Sequence, residues 1–208
     1  MLTVYGNPMS TCTRKVLCLL DEKGADFEFS VVDFTKGEHK QPAHLARQPF
    51  GQVPAIDHDG FALYESRAIC RYLDEALGGP KLIPGDGKHR AIVEQWISVE
   101  SANFTPHAMK ILYQLFFGPM RGQAPDQAVV TAARTALQHT LAIVERQLAQ
   151  TPFLAGTEFT LADIVFLPYI EYLVACGQGD LFTARPAVSA WWARCRTRPS
   201  WLKAAGKT

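Results

Sequence analysis

The chain has 208 residues, 48% of them hydrophobic, which is enough to bury a core in one or two domains without disulfide or metal staples. Its 21 basic and 20 acidic side chains leave a net charge of +1, excluding the broad basic field that gathers nucleic acid or an anionic membrane surface. The five cysteines, Cys12, Cys18, Cys70, Cys176 and Cys195, include no C-x-x-C pair, which argues against a disulfide framework or a zinc site and fits a reducing cytoplasm.

The sequence opens without a basic and apolar leader, so no secretion signal is expected. "LTVY" (2–5) and "FEFSVVDF" (27–34) are rich in β-branched and aromatic residues and bracket an apolar helical run, 16–23, that ends at Gly24. This is a β-α-β unit. Between its first strand and its helix lies "NPMSTCTRK" (7–15), a strand-to-helix turn with Ser10 placed as the N-cap. After a short helical or loop segment come "QVPAID" and "FALYE", separated by His58-Asp59-Gly60, whose Asp-Gly pair suits an antiparallel hairpin. The helix "SRAICRYLDEAL" follows at once, with Glu65 and Ser66 at its start. A mixed four-stranded sheet with helices is therefore expected over residues 1–78.

Six glycines and prolines crowd residues 78–87, and 79–88 reads as a linker. Residues 89–208 carry helical stripes only. One stripe runs from Ile92 to Leu115 with a break or kink expected around Thr105, because Pro106 disfavours helix in the residue before it. A second covers about 125–150. "EFTLADI" then places Thr160 as N-cap, Asp163 at N3, and Phe159 and Ile164 as a hydrophobic staple, predicting a helix through Leu173. Its apolar stretch, 164–176, is only 13 residues long and holds Pro168 and Glu171, too short and too interrupted to span a bilayer. Two short helices opened by Pro186 and Pro199, and filled by Trp191, Trp192 and Trp201, complete a helical domain.

The stretches "NPMSTCTRKVLCLLDEKGADFEF", "GEHKQPAHLARQPFGQVPAI", "ALYESRAICRYL", "PFLAGTEFTLADI" and "RPAVSAWWARCRTRPSW" resemble the cytosolic glutathione transferases, most closely the phi class of plants and its bacterial relatives. The resemblance implies an α/β thioredoxin-like N-terminal domain, an all-α C-terminal domain, a cytoplasmic homodimer, and glutathione as a cosubstrate with no permanently bound cofactor or metal. By resemblance Ser66 and the amides at its helix start hold the γ-glutamyl carboxylate, and Glu65 faces the ammonium. Val53 pairs with the cysteinyl backbone before a cis Pro54, Gln52 approaches the γ-glutamyl part, and His39 and Lys40 supply donors to the glycyl carboxylate. Arg67 belongs near glutathione or the subunit interface, and its role stays open.

Matching "PMSTCTRKV" to the phi pattern puts Ser10 on the catalytic serine, which keeps its proton and stabilises the thiolate of bound glutathione. Cys12, in the first helical turn near Arg14 and Lys15, is the rival: it would support a thiol transferase or dehydroascorbate reductase through a mixed disulfide. Families that use cysteine place it at the turn itself, where Ser10 stands, and Cys12 falls two residues deeper. Thr11 is a neighbour able to share the donor role. The acceptor is expected to be a small hydrophobic electrophile held by Met9, Phe34, His107, Ile111 and Phe116, with hydroperoxide reduction left open as a second activity. A noncatalytic carrier of apolar ligands, or an interaction module, is the alternative from another class.

Overall fold

The computed structural model describes residues 1–207. They form two compact units, Met1–Ile83 joined by the C-terminal stretch from Arg198, and Pro84–Thr197.

In the first unit β1 (Leu2–Gly6), α1 (Thr11–Lys23) and β2 (Glu28–Val31) make the expected crossover, with Thr3 opposite Glu28 and Gly6 opposite Val31 in a parallel pair. Helix α1 is held at both ends. Ser10 caps its start, and Gly24, at φ 61°, closes it with paired bonds from Gly24 N–H to Asp21 O and from Ala25 N–H to Leu20 O, both 3.0 Å. A turn at Glu38–Lys40 and the short α2 (Pro42–Leu45) lead to β3 (Ala55–His58), β4 (Phe61–Tyr64) and α3 (Ser66–Ala76). The β3–β4 hairpin turns on Asp59 and Gly60, both at positive φ, with Gly60 N–H donating to Asp57 Oδ1 at 3.0 Å. The sheet order is β2-β1-β3-β4, with β3 antiparallel to both neighbours. Val4, Val16, Leu19, Leu20, Ile56, Ile69 and Leu73 have no exposed surface and form the core.

This topology decides where chemistry can gather. Because β3 runs against β1 and β4, the ends of β1, β2 and β4 and the start of β3 share one end of the sheet, as the registers Tyr5 to Ala55 and Ala55 to Tyr64 require. The Ser10 turn, the 34–40 segment, the Val53-Pro54 approach and the Glu65-Ser66 helix start all hang from that end.

A buried ion pair ties α1 to the segment that leaves the unit. Lys23 Nζ, within a wholly buried side chain, donates to Asp74 Oδ1 at 3.1 Å and to the carbonyls of Asp74 and Pro80 at 3.0 and 2.9 Å. The Asp74 carboxylate also accepts from the Leu82 and Ile83 amides at 2.9 and 3.0 Å. The segment expected as a linker, 79–88, is therefore fastened onto the first unit as far as Ile83.

The second unit is helical: α4 (Gly87–Val99), α5 (Thr105–Leu112), α6 (Gln127–Leu148), α7 (Leu161–Ile164), α8 (Leu167–Ala175), α9 (Asp180–Thr183) and α10 (Pro186–Arg196). Two expectations change. Of the break or kink expected around Thr105, the break does not occur: a wide π turn over Glu100–Phe104, an irregularity of the kind that kinks helices, precedes α5, and the backbone stays in the right-handed helical region through Thr105. A wide turn absorbs the missing proline N–H without ending the helix. The helix expected from Thr160 through Leu173 is instead divided at Val165–Phe166, because Pro168 offers no N–H to the Ile164 carbonyl. The Thr160–Asp163 capping box forms as expected. Asp163, fully buried, also accepts from Leu154 N–H at 3.0 Å and Trp191 Nε1 at 2.8 Å.

The helix opened by Pro199, α11 (Pro199–Ala204), belongs to the first unit instead of the helical one. Arg198 grips Glu22 through two 2.7 Å bonds, Ser200 Oγ donates to the same carboxylate, and Lys203 reaches Asp21 at 2.5 Å. These partners lie more than 170 residues apart in sequence, so no local pattern announces them.

Candidate active site

The turn after β1 is built around Ser10. Its backbone is extended, at φ −74° and ψ 125°, and its Oγ accepts the Thr13 N–H at 3.2 Å. That bond occupies one lone pair and leaves the hydroxyl proton free to donate away from the helix. The same Oγ stands at the positive end of a 13-residue helix. Thr11 is buried, at 8% exposure, whereas Cys12 is half-buried and not in a disulfide.

The approach to β3 presents backbone. Gln52 is held from both sides: its N–H donates to Gln48 Oε1 at 2.9 Å, and its carbonyl meets His44 Nε2 at 2.7 Å. Its side chain remains exposed. The Val53-Pro54 bond is cis, and among the described residues neither the N–H nor the C=O of Val53 finds a partner within the chain. An unpaired amide and carbonyl on one residue can pair with an extended peptide as a neighbouring strand would.

At the start of α3, Glu65 adopts φ 73° and ψ 105°, a conformation that costs a non-glycine residue about 1–3 kcal/mol. Its carbonyl accepts the Ile69 N–H at 2.9 Å, so the helix begins immediately after it. The reversal leaves the Glu65 side chain exposed beside the amides of the first turn, with Ser66 buried next to it. Arg67 is half-exposed and its carbonyl receives Arg71 Nη1 at 3.0 Å.

His39 stacks edge-on against Phe34, with ring centroids 4.9 Å apart, and its Nδ1 is buried without a hydrogen-bond partner. Burial, with smaller contributions from the charges of Lys40 and His44, holds its pKa below the ordinary histidine value. Lys40 is exposed and its Nζ donates to the Phe50 carbonyl at 3.1 Å. Gly51 makes this approach feasible: at φ 63° a Cβ there would come within 2.7 Å of Lys40 Nζ and 2.8 Å of the His39 carbonyl.

The residues expected to meet an acceptor divide by exposure. Met9 and Phe34 are about two-fifths exposed, and His107 is half-buried. Phe116 sits in an aromatic cluster of the helical unit, 4.7 Å from Tyr172 and 5.2 Å from Phe117. Ile111, in contrast, has no exposed surface and serves the core of that unit. Sequence reasoning missed Asn7, His44 and Gln48, which shape the two loops through hydrogen bonds to the main chain. No cluster of His, Cys, Asp or Glu among the described residues could hold a metal ion, and no described helix is long and apolar enough to cross a membrane.

A mixed sheet entered by a cis-proline, with a capped helix rising from the end of its first strand, defines a thioredoxin-like protein, here followed by a helical unit. Residues 1–75 match the model of the glutathione S-transferase N-terminal domain and residues 104–199 that of the C-terminal domain. Glutathione S-transferase APIC of Nicotiana tabacum is 41% identical over 97% of this chain and 96% of its own length. The crystal structure of glutathione transferase F7 from Populus trichocarpa superposes with a TM-score of 0.96 at 42% identity, covering 100% of this chain and 99% of that one. Glutathione S-transferase I from mais, in complex with an atrazine glutathione conjugate, superposes at 0.92 with 36% identity over 99% of this chain and 97% of its own. The chain belongs to the glutathione S-transferase family, among relatives of the plant phi class.

Proposed function

We propose that this transferase binds glutathione at the shared end of its sheet, activates the thiol through Ser10, and adds the thiolate to a small hydrophobic electrophile. The observation that carries the reading is the Ser10 hydroxyl, whose oxygen is engaged by Thr13 N–H while its proton stays available at a helix N-terminus. A free thiol has a pKa near 8.5, so only about 3% is thiolate at pH 7. Lowering that value by about 2 units takes roughly 2.7 kcal/mol of preference for the anion, the scale of one charge-assisted hydrogen bond plus a helix dipole.

The remaining groups match the rest of the tripeptide. Val53 offers its amide and carbonyl to the cysteinyl backbone. Ser66 and the α3 amides take the γ-glutamyl carboxylate, Glu65 takes the ammonium, and Gln52 approaches the same end. His39 donates from its otherwise unpartnered Nδ1 to the glycyl carboxylate, with Lys40 supplying charge. Met9 and Phe34 supply apolar contacts to the acceptor, and Phe116 belongs to the kind of aromatic cluster that lines ligand pockets. The enzyme acts in the cytoplasm as a homodimer, in detoxification, and peroxide reduction would use the same thiolate.

The test is glutathione conjugation to an aryl halide by the wild type, Ser10→Ala and Cys12→Ala. The proposal expects a large loss in Ser10→Ala and near-full rate in Cys12→Ala. Loss in Cys12→Ala alone would favour disulfide chemistry. Absence of glutathione binding in calorimetry at millimolar ligand would favour a noncatalytic module.

A further inference from the structure

Ser10 does not hold its own position. Asn7, three residues earlier, makes four hydrogen bonds: two within the turn, one to the end of β2 and one to α1. Its Oδ1 accepts the Met9 N–H at 3.0 Å, and its Nδ2 donates to the Val32 carbonyl, just past β2, at 3.0 Å. Its own carbonyl accepts the Ser10 N–H at 2.9 Å, and its N–H donates to Thr13 Oγ1 at 3.3 Å. Thr13, fully buried, is the residue whose N–H meets Ser10 Oγ. There is no slack beneath this arrangement, because a Cβ on Gly6 would come within 2.6 Å of Thr13 Cγ2.

We infer that Asn7 is a positioning residue for thiol activation, its carboxamide fixing the 7–10 turn so that the Ser10 hydroxyl meets the glutathione sulfur in one geometry. The inference rests on the Ser10 reading above. An N-cap alone sets where Oγ sits relative to the helix. The Asn7 carboxamide sets where the turn sits relative to the sheet, by bridging its Met9 amide to the end of β2. Arg14, whose Nε donates to the Pro8 carbonyl at 2.8 Å, clasps the other side but does not reach the sheet through that bond. Without the carboxamide, the bonds from the Met9 amide and to the Val32 carbonyl are lost; the main-chain bonds of residue 7 to Ser10 and Thr13 keep the helix capped, while the turn gains freedom relative to the sheet. The hydrogen bond to the thiolate is then made in only part of the population, and the thiol pKa rises. Catalytic geometry is this sensitive because the bond's strength falls steeply with misalignment.

The experiment measures the pKa of the bound glutathione thiol, by its thiolate ultraviolet absorbance, in the wild type, Asn7→Ala, Ser10→Ala and the double variant. For Asn7→Ala we expect a rise of about 1 unit and, near pH 6.5, a kcat lower by about fivefold, with the glutathione Kd unchanged within about twofold. A purely structural role would not move the thiol pKa at constant Kd. In the Ser10→Ala background the Asn7 change should add nothing. Asn7→Asp should raise the pKa at least as much, since it loses the donor to Val32 and adds a negative charge near the developing thiolate. If Ser10→Ala raises the pKa and Asn7→Ala does not, or if the two effects add, the positioning role is overturned and the Ser10 reading stands. If Ser10→Ala leaves the pKa unchanged, the Ser10 reading fails and takes this inference with it. Should Asn7→Ala not fold, Asn7→Ser decides by the same criterion, because its short hydroxyl still accepts the Met9 N–H but cannot reach the Val32 carbonyl.

Discussion

Replacing Glu65 by glycine separates the strain of the α3 entry from the use of its carboxylate. Glu65 sits at φ 73°, where a side chain costs about 1–3 kcal/mol and glycine, lacking Cβ, costs less. Glycine also gives the unfolded chain more freedom, which takes back about 0.4–1 kcal/mol, so the net expected change is a stabilisation of about 1 kcal/mol. For a chain of 208 residues that is a rise in Tm of about 2–4 °C. Binding should move the other way. A hydrogen bond between charged groups contributes about 1.5–3 kcal/mol, and since Glu65 is exposed the lower figure applies, giving a glutathione Kd weaker by about tenfold. Glu65→Gln is the control: it keeps the strain and loses the charge, so its Tm should stay at the wild-type value while its Kd weakens. Differential scanning fluorimetry and calorimetry with glutathione read both quantities. A Glu65→Gly protein that melts lower than the wild type, or that binds glutathione equally well, would refute the reasoning.

Two further outcomes follow from the buried charges. Asp74→Asn should cost about 3–5 kcal/mol, because Lys23 keeps its charge in a wholly buried site after losing its anion, whereas the double variant Lys23→Met/Asp74→Asn should recover much of the loss; urea titration of the three proteins checks this, and additive losses would contradict it. Asp163 gives a pH dependence: burial pushes its pKa from the ordinary 3.8 up to about 6, against the hydrogen bonds from Leu154, Thr160 and Trp191 that pull it down. A carboxyl raised in the folded state keeps a proton that the unfolded chain has released, so its contribution is fully present below pH 3.8 and lost as pH rises through about 6. Across that window the wild type should lose about 3 kcal/mol relative to Asp163→Asn, read from urea midpoints at several pH values, and an identical pH slope in both proteins would sink the account.

The sequence made legible what short-range chemistry decides. Ser10 could be read as a cap from its place between an apolar strand and an apolar helix, and Asp59-Gly60 as a hairpin turn from its residue types alone. The Thr160–Asp163 box was equally readable, because both partners lie within one helical turn. Long-range partners were not. Nothing near Arg198 announces Glu22, so the last helix was assigned to the wrong unit. Pro106 and Pro168 look alike as helix breakers, yet a wide π turn absorbs the first and the second divides its helix. Within the site, the glutathione-matching residues stood out by resemblance. Asn7, Gln48 and His44 did not, because a polar side chain that bonds to distant main chain carries no local pattern. Ile111 shows the opposite failure: apolar at helical spacing describes a pocket wall and a core residue equally well, and here it is core.

The most direct measurement is the pKa of the glutathione thiol bound to the wild type and to Ser10→Ala, followed by thiolate absorbance across pH. With Ser10 Oγ held by Thr13 N–H and its proton free, the wild-type value should lie about 2 units below the free thiol's 8.5, and Ser10→Ala should return it by about 1–2 units with kcat falling in parallel. An unchanged thiol pKa in Ser10→Ala, at full glutathione occupancy, would contradict the account.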